Sequence, residues 1–207
     1  MPTQARAIKK RMSLLKAAHL EFAEVGYAVA TAKSIASRAG VATGTFYQYF
    51  ENKNEILCFV AENRFVELHD KVAQLEDEHE QRKKSLRKDS KQRESVAEHF
   101  KRVLSFLYHY HLAELQLHQV LDQRRSLDSQ LDKIMCRGED LMRGLVLRYI
   151  ENYGVDDSAV VADCLHAMGE GLVHRMVFST QSGDHEKMLE TSAAMLASYF
   201  QSATIEA

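Results

Sequence analysis

Apolar residues recur at three- and four-residue spacing along nearly the whole chain, a pattern that predicts helices and no strands. The first stripe runs Ile8, Met12, Leu15, Ala18, Phe22 and Val25 and ends at Gly26-Tyr27. Thr31 then offers an N-cap, Ile35, Ala36 and Ala39 share one helical face, and Gly40 supplies the permissive backbone of a helix C-terminus. Val41 can fill the space between two crossing helices. Thr43 to Phe50 reads as a second short helix whose Phe46 and Phe50, four apart, point inward. Thr43, Gly44, Thr45, Tyr47, Gln48 and Tyr49 are left on its outer face. Asn52 with Glu55 three residues on is a capping-box signature, so a fresh helix begins at about residue 53. Lys53 lies in its first turn, where an ammonium and free backbone N–H groups can meet a phosphate. The order is that of a helix-turn-helix, and a helix presented this way suits the major groove of DNA. Helix pairs of the same shape also occur in proteins that bind no DNA.

Further helices follow. Ile56, Leu57, Val60, Phe65, Leu68 and Val72 mark a fourth over about 53–80. From Gln74 to Glu94, Leu75 and Leu86 are the only aliphatics among alternating acids and bases. That stretch reads as a solvated helix extension laced by i,i+4 pairs, or as a mobile connection. Val96, Phe100, Val103, Leu104, Leu107 and Tyr108 mark a fifth helix over about 91–112, and 113–125 a short sixth. Leu131, Ile134, Leu141, Leu145 and Tyr149 mark a long seventh over 127–152. The eighth, 156–181, carries Val161, Leu165, Met168, Leu172 and Met176. The ninth, 185–202, carries Met188, Leu189, Ala193, Met195, Leu196, Tyr199 and Phe200. The apolar surface of these last two is broader than a helix needs for packing on its own domain. The expectation is an all-α chain of about nine helices: an N-terminal three-helix DNA-binding domain over 1–52, and a helical ligand-binding and dimerisation domain over 53–207.

Composition sharpens this picture at three points. The single proline is Pro2, so nothing after it obliges a helix to break. Net charge is −2, but residues 1–55 carry eight Lys/Arg against four acids, leaving 19 basic and 25 acidic residues for the rest. A basic head can bind phosphates, and an acidic body is kept off them. Lys9, Lys10 and Arg11 lie where an arm over the DNA backbone or minor groove would start. No apolar run approaches the ~18 residues of a membrane span, and no signal-peptide core follows the N-terminus, so a cytoplasmic protein with no membrane partner is expected. Cys58, Cys136 and Cys164 are odd in number and far apart, which predicts three buried, reduced thiols.

From Leu14 to Leu57 the chain resembles the N-terminal domain of the TetR family of bacterial transcriptional regulators. The resemblance rests on Ala17-Ala18, Phe22-Ala23-Glu24, Gly26-Tyr27, Thr31, Ile35-Ala36, Ala39-Gly40-Val41, Gly44-Thr45-Phe46-Tyr47-Gln48-Tyr49-Phe50 and Lys53. Ala42 departs from it, since the family usually has Ser there. The hydroxyl that could cap the recognition helix is gone, and Thr43 is the residue placed to take over. The resemblance implies that Thr31, Tyr47, Tyr49 and Lys53 hold phosphates, that Thr43, Thr45 and Gln48 lie nearest the base edges, and that Gly44 allows close backbone approach. It also implies a homodimer in which two helices from each chain close a four-helix bundle. Leu165, Met168, Leu172, Met176, Met188, Met195 and Tyr199 are the candidate interface residues, and Gly169 and Gly171 allow close approach.

In the family the body encloses a small-molecule pocket. Here Tyr108, His111, His118, Cys136, Met142 and His166 are the candidate lining, for an effector of unknown identity. His111 and His118, seven apart, share a face but are too distant to hold a metal without a third element, and no zinc-type spacing completes a site, so no metal or cofactor is expected. No Gly-rich phosphate loop, nucleophile elbow or His-Glu-x-x-His motif appears, and the chain is not expected to be an enzyme. The expected function is a ligand-responsive regulator, a repressor that binds a palindromic operator in double-stranded DNA as a dimer and is released by the effector. The alternative is a DNA-bound organiser whose body recruits a protein partner.

Overall fold

Leu14, Leu15, Ala17, Ala18 and Phe22 are all nearly inaccessible to solvent, and their three- and four-residue spacing defines the buried side of the first helix. In the computed structural model, which describes residues 2–85, 95–178 and 183–203, they belong to α1 (Pro2–Val29). The stripe expected from Ile8 to Val25 is buried only in its middle. Ile8, Met12 and Val25 are 58%, 53% and 40% exposed. Periodicity marks the apolar side of a helix but not how far a neighbour covers it. Gly26, at φ 75° and ψ 170°, breaks the helical path within α1. Side chains essentially never adopt that conformation, and the break falls where the first helix was expected to end.

The other elements are α2 (Ala32–Arg38), α3 (Thr43–Tyr47), α4 (Lys53–Ser85), α5 (Val96–Ala113), α6 (Leu115–Arg125), α7 (Ser129–Glu151), α8 (Ser158–Phe178) and α9 (His185–Ala203). Among the described residues the fold is therefore all-α, with nine helices and no strand. Gln74 to Ser85 of the charged stretch continue α4, with Gln74 donating to Glu78 at 3.0 Å. The remainder of that stretch, 86–94, lies outside the described residues, as does the expected start of the fifth helix at 91.

The chain forms two compact units, 1–66 with 114–138, and 67–113 with 139–207. The first unit thus keeps the opening half of α4, all of α6 and the start of α7 alongside α1–α3. Its core joins Phe22, Ile35, Phe46, Phe50, Ile56 and Leu57 to Leu117, Leu121, Leu131 and Ile134. Gly138 is buried against Phe65, whose ring occupies the space that a Cβ at 138 would need. Gly138→Ala is therefore expected to lower stability by about 1–3 kcal/mol, read as an earlier midpoint in urea unfolding. An unchanged midpoint would show that the ring swings away freely.

In the second unit Leu68, Val72, Met142 and Leu145 form one apolar cluster, and Tyr149, Ile150, Ala162 and Phe200 another. Beside the latter sits a buried polar group that the charge pattern of 74–94 had disguised as solvated. His79 and His99 are each 1% exposed and their rings lie 4.0 Å apart. Arg102 donates to His99 Nδ1 at 3.3 Å, so that nitrogen accepts, and Nε2 faces Glu76 at 3.1 Å as the donor. Tyr149 stacks on His99, and burial together with its hydrogen bond to Tyr153 pushes its phenol up.

The cysteines divide otherwise than expected. Cys58 is buried, and burial pushes its thiol up to about 11. Cys136 and Cys164 are exposed, because each falls on the outer side of an amphipathic helix.

Candidate nucleic-acid interface

Each turn of the helix-turn-helix is held by a local bond that its residues dictate. Thr31 Oγ1 accepts from Ser34 N at 3.0 Å, while Ser34 Oγ accepts from Thr31 N at 3.0 Å, a reciprocal cap that starts α2. Gly40 ends α2 at φ 69°. Its N–H donates to Ser37 O, and that of Val41 to Ala36 O, both at 3.0 Å. This is a Schellman closure, which requires a left-handed residue at that point. Two residues after Gly40, Ala42 caps α3 through its backbone alone. The cap does not pass to Thr43 as expected. Thr43 is already the first helical residue, one position too late for its side chain to reach the orphan N–H groups.

Phe46 has no exposure and anchors α3 from beneath, 5.7 Å from the Phe50 ring. Phe50 meets Phe59 of α4 edge-on at 5.8 Å. The Arg11 guanidinium lies 4.3 Å from the Phe59 centroid, so one member of the basic cluster on α1 rests against this aromatic floor. With Phe46 inward, α3 presents Gly44, Tyr47 and Gln48 to solvent, Tyr47 at 59% exposure. Thr43 and Thr45 are half-buried, and Tyr49 packs against the core.

The charge of the head is redistributed by pairing. Arg38 donates to Glu21 at 2.7 Å and to Glu24 at 2.9 Å, and these hydrogen bonds hold the Glu24 carboxyl below its ordinary value and the guanidinium firmly charged. One of the eight basic residues is thus matched locally, while Arg6, Lys9, Lys10, Lys16 and Lys33 stand exposed.

Asn52 caps α4, its Oδ1 accepting from the N–H groups of Asn54 and Glu55, both at 2.9 Å. The Glu55 carboxylate reaches back to Glu51 N rather than to the capping residue. Lys53 is half-buried, its Nζ donating to the carbonyls of Tyr27 at 2.6 Å and Ala30 at 2.8 Å. It clamps the end of α1, where helix termination leaves carbonyls without partners. Spacing places Lys53 at the helix start where it is found, while these carbonyls are non-local acceptors that no sequence window reveals.

The residues singled out as a pocket do not share one unit. His118 and Cys136 belong to the first, and Tyr108, His111, Met142 and His166 to the second. His118 is buried on α6, 3.7 Å from Asp122. Cys136 accepts from Arg125 at 3.6 Å. Tyr108 bonds His185 at 2.9 Å, and Met142 fills the core with Leu68 and Val72. The histidine that the second unit sets beside His111 is His174 of α8, with ring centroids 5.7 Å apart. His174 lies 63 positions downstream, which is why spacing did not suggest it.

Of the candidate interface residues, Met168, Met195 and Tyr199 are 55%, 63% and 41% exposed, and Leu165, Leu172 and Met188 are partly covered. Met176, at 3% exposure, is core. Gly169 packs on Leu104 of its own chain at ordinary contact distance, and a Cβ at Gly171 would meet open space.

No described helix is long and apolar enough to cross a membrane. Residues 14–58 match the model of the family described as bacterial regulatory proteins, tetR family. No curated protein matches the chain by sequence. Among solved structures, the chain is similar to a TetR-family transcriptional regulator from Mesorhizobium loti at 17% identity, with a TM-score of 0.71 and 95% of this chain and 97% of that one covered. A transcriptional regulator from Pseudomonas aeruginosa gives 12% identity and a TM-score of 0.70, covering 100% of this chain and 95% of the other. A fatty acid degradation regulator from Bacillus halodurans gives 21%, 0.61, 91% and 94% for the same quantities. Residues 14–58 of this chain are thus a TetR-family N-terminal domain, set in an all-α chain with the fold of TetR-family transcriptional regulators.

Proposed function

We propose that the chain is a dimeric, DNA-binding transcriptional regulator of the bacterial cytoplasm, a repressor that leaves a palindromic operator when a small molecule binds its body. The observation that carries this reading is α3, anchored by Phe46 and turning Gly44, Tyr47 and Gln48 outward on a head with exposed Arg6, Lys9, Lys10, Lys16 and Lys33. Residues 1–52 hold the reading elements, and 53–207 serve ligand binding and dimerisation. Thr31, Tyr47 and the backbone at Gly44 approach phosphates, and Gln48, Thr43 and Thr45 face the base edges. Tyr49 and Lys53, both tied into the fold, contribute through the face they leave exposed.

Dimerisation uses the outward side of the last two helices, where Val160, Met168, Met195 and Tyr199 are solvent-exposed in the single chain. These four are the large apolar side chains left most in water on the two helices, and they are the candidates for that contact. A two-fold pair presents two recognition helices to successive turns of one DNA face, about 34–36 Å apart.

Selection of bound DNA from a random pool, followed by sedimentation of the protein with the recovered sequence, tests this reading. A palindrome with half-sites about one turn apart, bound by two chains, is expected. Recovery of no enriched sequence sinks it. A glutamine can pair bidentately with adenine, so Gln48→Ala is expected to relax preference at one base position at a cost of about 1–3 kcal/mol. Base preferences identical in mutant and wild type would remove Gln48 from the reading set.

A further inference from the structure

Tyr27, just after the Gly26 break in α1, is met by residues of α4 and α6 within the first unit. The Lys53 ammonium, at the start of α4, lies 4.4 Å from its ring centroid. The Arg124 guanidinium, in the last turn of α6, lies 4.3 Å from the same centroid. The Tyr27 hydroxyl donates to Asn54 Oδ1 at 3.4 Å, and Asn54 Nδ2 donates to Asp128. Asp128 caps α7, its Oδ1 accepting from Gln130 N at 2.8 Å and Leu131 N at 3.1 Å.

Two cations on one ring is a costly arrangement unless something holds each in place. Lys53 is held by the Tyr27 and Ala30 carbonyls, and burial, then the charge of Arg124, lowers its ammonium. Arg124 has the ring itself, to which a planar guanidinium stacks well. Its charge lies opposite Asp128, whose carboxyl it helps hold low after the backbone bonds at the α7 cap. The consequence is mechanical. The Tyr27–Ala30 segment leads directly into Thr31, which starts the helix-turn-helix, so Arg124 reaches from α6 to the junction that precedes α2.

We propose that Arg124 is a positioning residue for DNA binding: by bracing Tyr27 against Lys53 it holds the α1–α2 junction in the conformation from which α3 reads DNA, without itself touching a phosphate. The inference rests on the functional reading above.

The test uses the full chain and the operator recovered from the random pool. Arg124→Met keeps the aliphatic stem and removes the cation, and it is expected to weaken operator binding about tenfold at fixed salt. The slope of affinity against salt should stay unchanged, since a residue that does not neutralise a phosphate releases no counterion. Arg124→Lys, which restores a cation over the ring, should recover most of the loss. Tyr27→Leu should weaken binding comparably, and Arg124→Met added to it should cost nothing more, because the two act through one contact.

Several results overturn the proposal. Unchanged affinity in Arg124→Met, with a lowered melting temperature, makes Arg124 merely structural. A salt slope smaller by about one makes it a phosphate ligand. Additive losses in the double variant break the link through Tyr27. Wild-type protein that prefers no DNA sequence overturns the functional reading and this inference with it, whereas normal wild-type binding left intact by Arg124→Met overturns this inference alone.

Discussion

Phe46→Ala is expected to cost about 3–5 kcal/mol of stability and to eliminate sequence-specific DNA binding even where the protein remains folded. The ring is wholly buried beneath a helix of only five residues, Thr43–Tyr47, which cannot hold itself together by backbone bonds. Its N-terminus has no side-chain cap, so tertiary packing through Phe46, in contact with Phe50 and through it Phe59, supplies the order. Truncation removes the anchor and leaves a cavity that so short an element fills only by shifting. Urea unfolding measures the first effect and operator binding at a temperature well below the transition measures the second. Phe46→Leu, which retains much of the volume, should lose less of both. A Phe46→Ala protein with wild-type midpoint and affinity would show that α3 is held by something else.

Glu114→Ala is expected to cost about 3 kcal/mol, the lower end of the range for breaking a buried ion pair, because the carboxylate keeps a quarter of its side chain exposed. Glu114 precedes α6, and its carboxylate meets the Arg64 guanidinium, only 5% exposed on α4, and His19 of α1 at 2.9 Å. Its removal takes the carboxylate away from a buried cation. Burial by itself pushes the Glu114 carboxyl up, but the hydrogen bond from His19 and the charge of Arg64 outweigh it and hold the group below the ordinary value of 4.5. The sign follows from linkage. A carboxyl depressed in the folded state contributes its full stability above the ordinary carboxylate range and loses it as pH falls through the folded value. The difference in unfolding free energy between wild type and Glu114→Ala should therefore be largest near neutral pH and shrink in acid below about 4.5. A difference that is constant down to pH 3 would show that the charge on Glu114 contributes nothing.

The reading elements were legible because each is local. Thr31 with Ser34, Gly40 with Val41, and Asn52 with Glu55 act within five residues of one another, and a short window contains both partners. The Phe46–Phe50 spacing shows which side of α3 is inward for the same reason. Local rules do not say which partner a side chain takes when several come within reach. Lys53 was placed at a helix start, correctly, but its ammonium turned to carbonyls 23 and 26 positions away. The charged run at Gln74–Ser85 looked solvated, yet it supplies Glu76 and His79 to a buried aromatic cluster whose other members come from α5 and α7. Met176 shares the apolar periodicity of Met168 but lies on the core side of α8.

What the sequence by itself determined is the helical content, the order of the helices, the caps and the turn that make a helix-turn-helix, and the local excess of positive charge on the first 55 residues. Those depend on propensity, spacing and bonds between near neighbours. Only the tertiary structure decided that α6 and the start of α7 belong with the head, that Arg38 is matched by Glu21 and Glu24, and that Arg124, Tyr27 and Lys53 meet. Each of these joins groups far apart in the chain. The contact that wins is chosen by packing and desolvation once the helices have assembled, and neither leaves a signature in the spacing of residues along one helix.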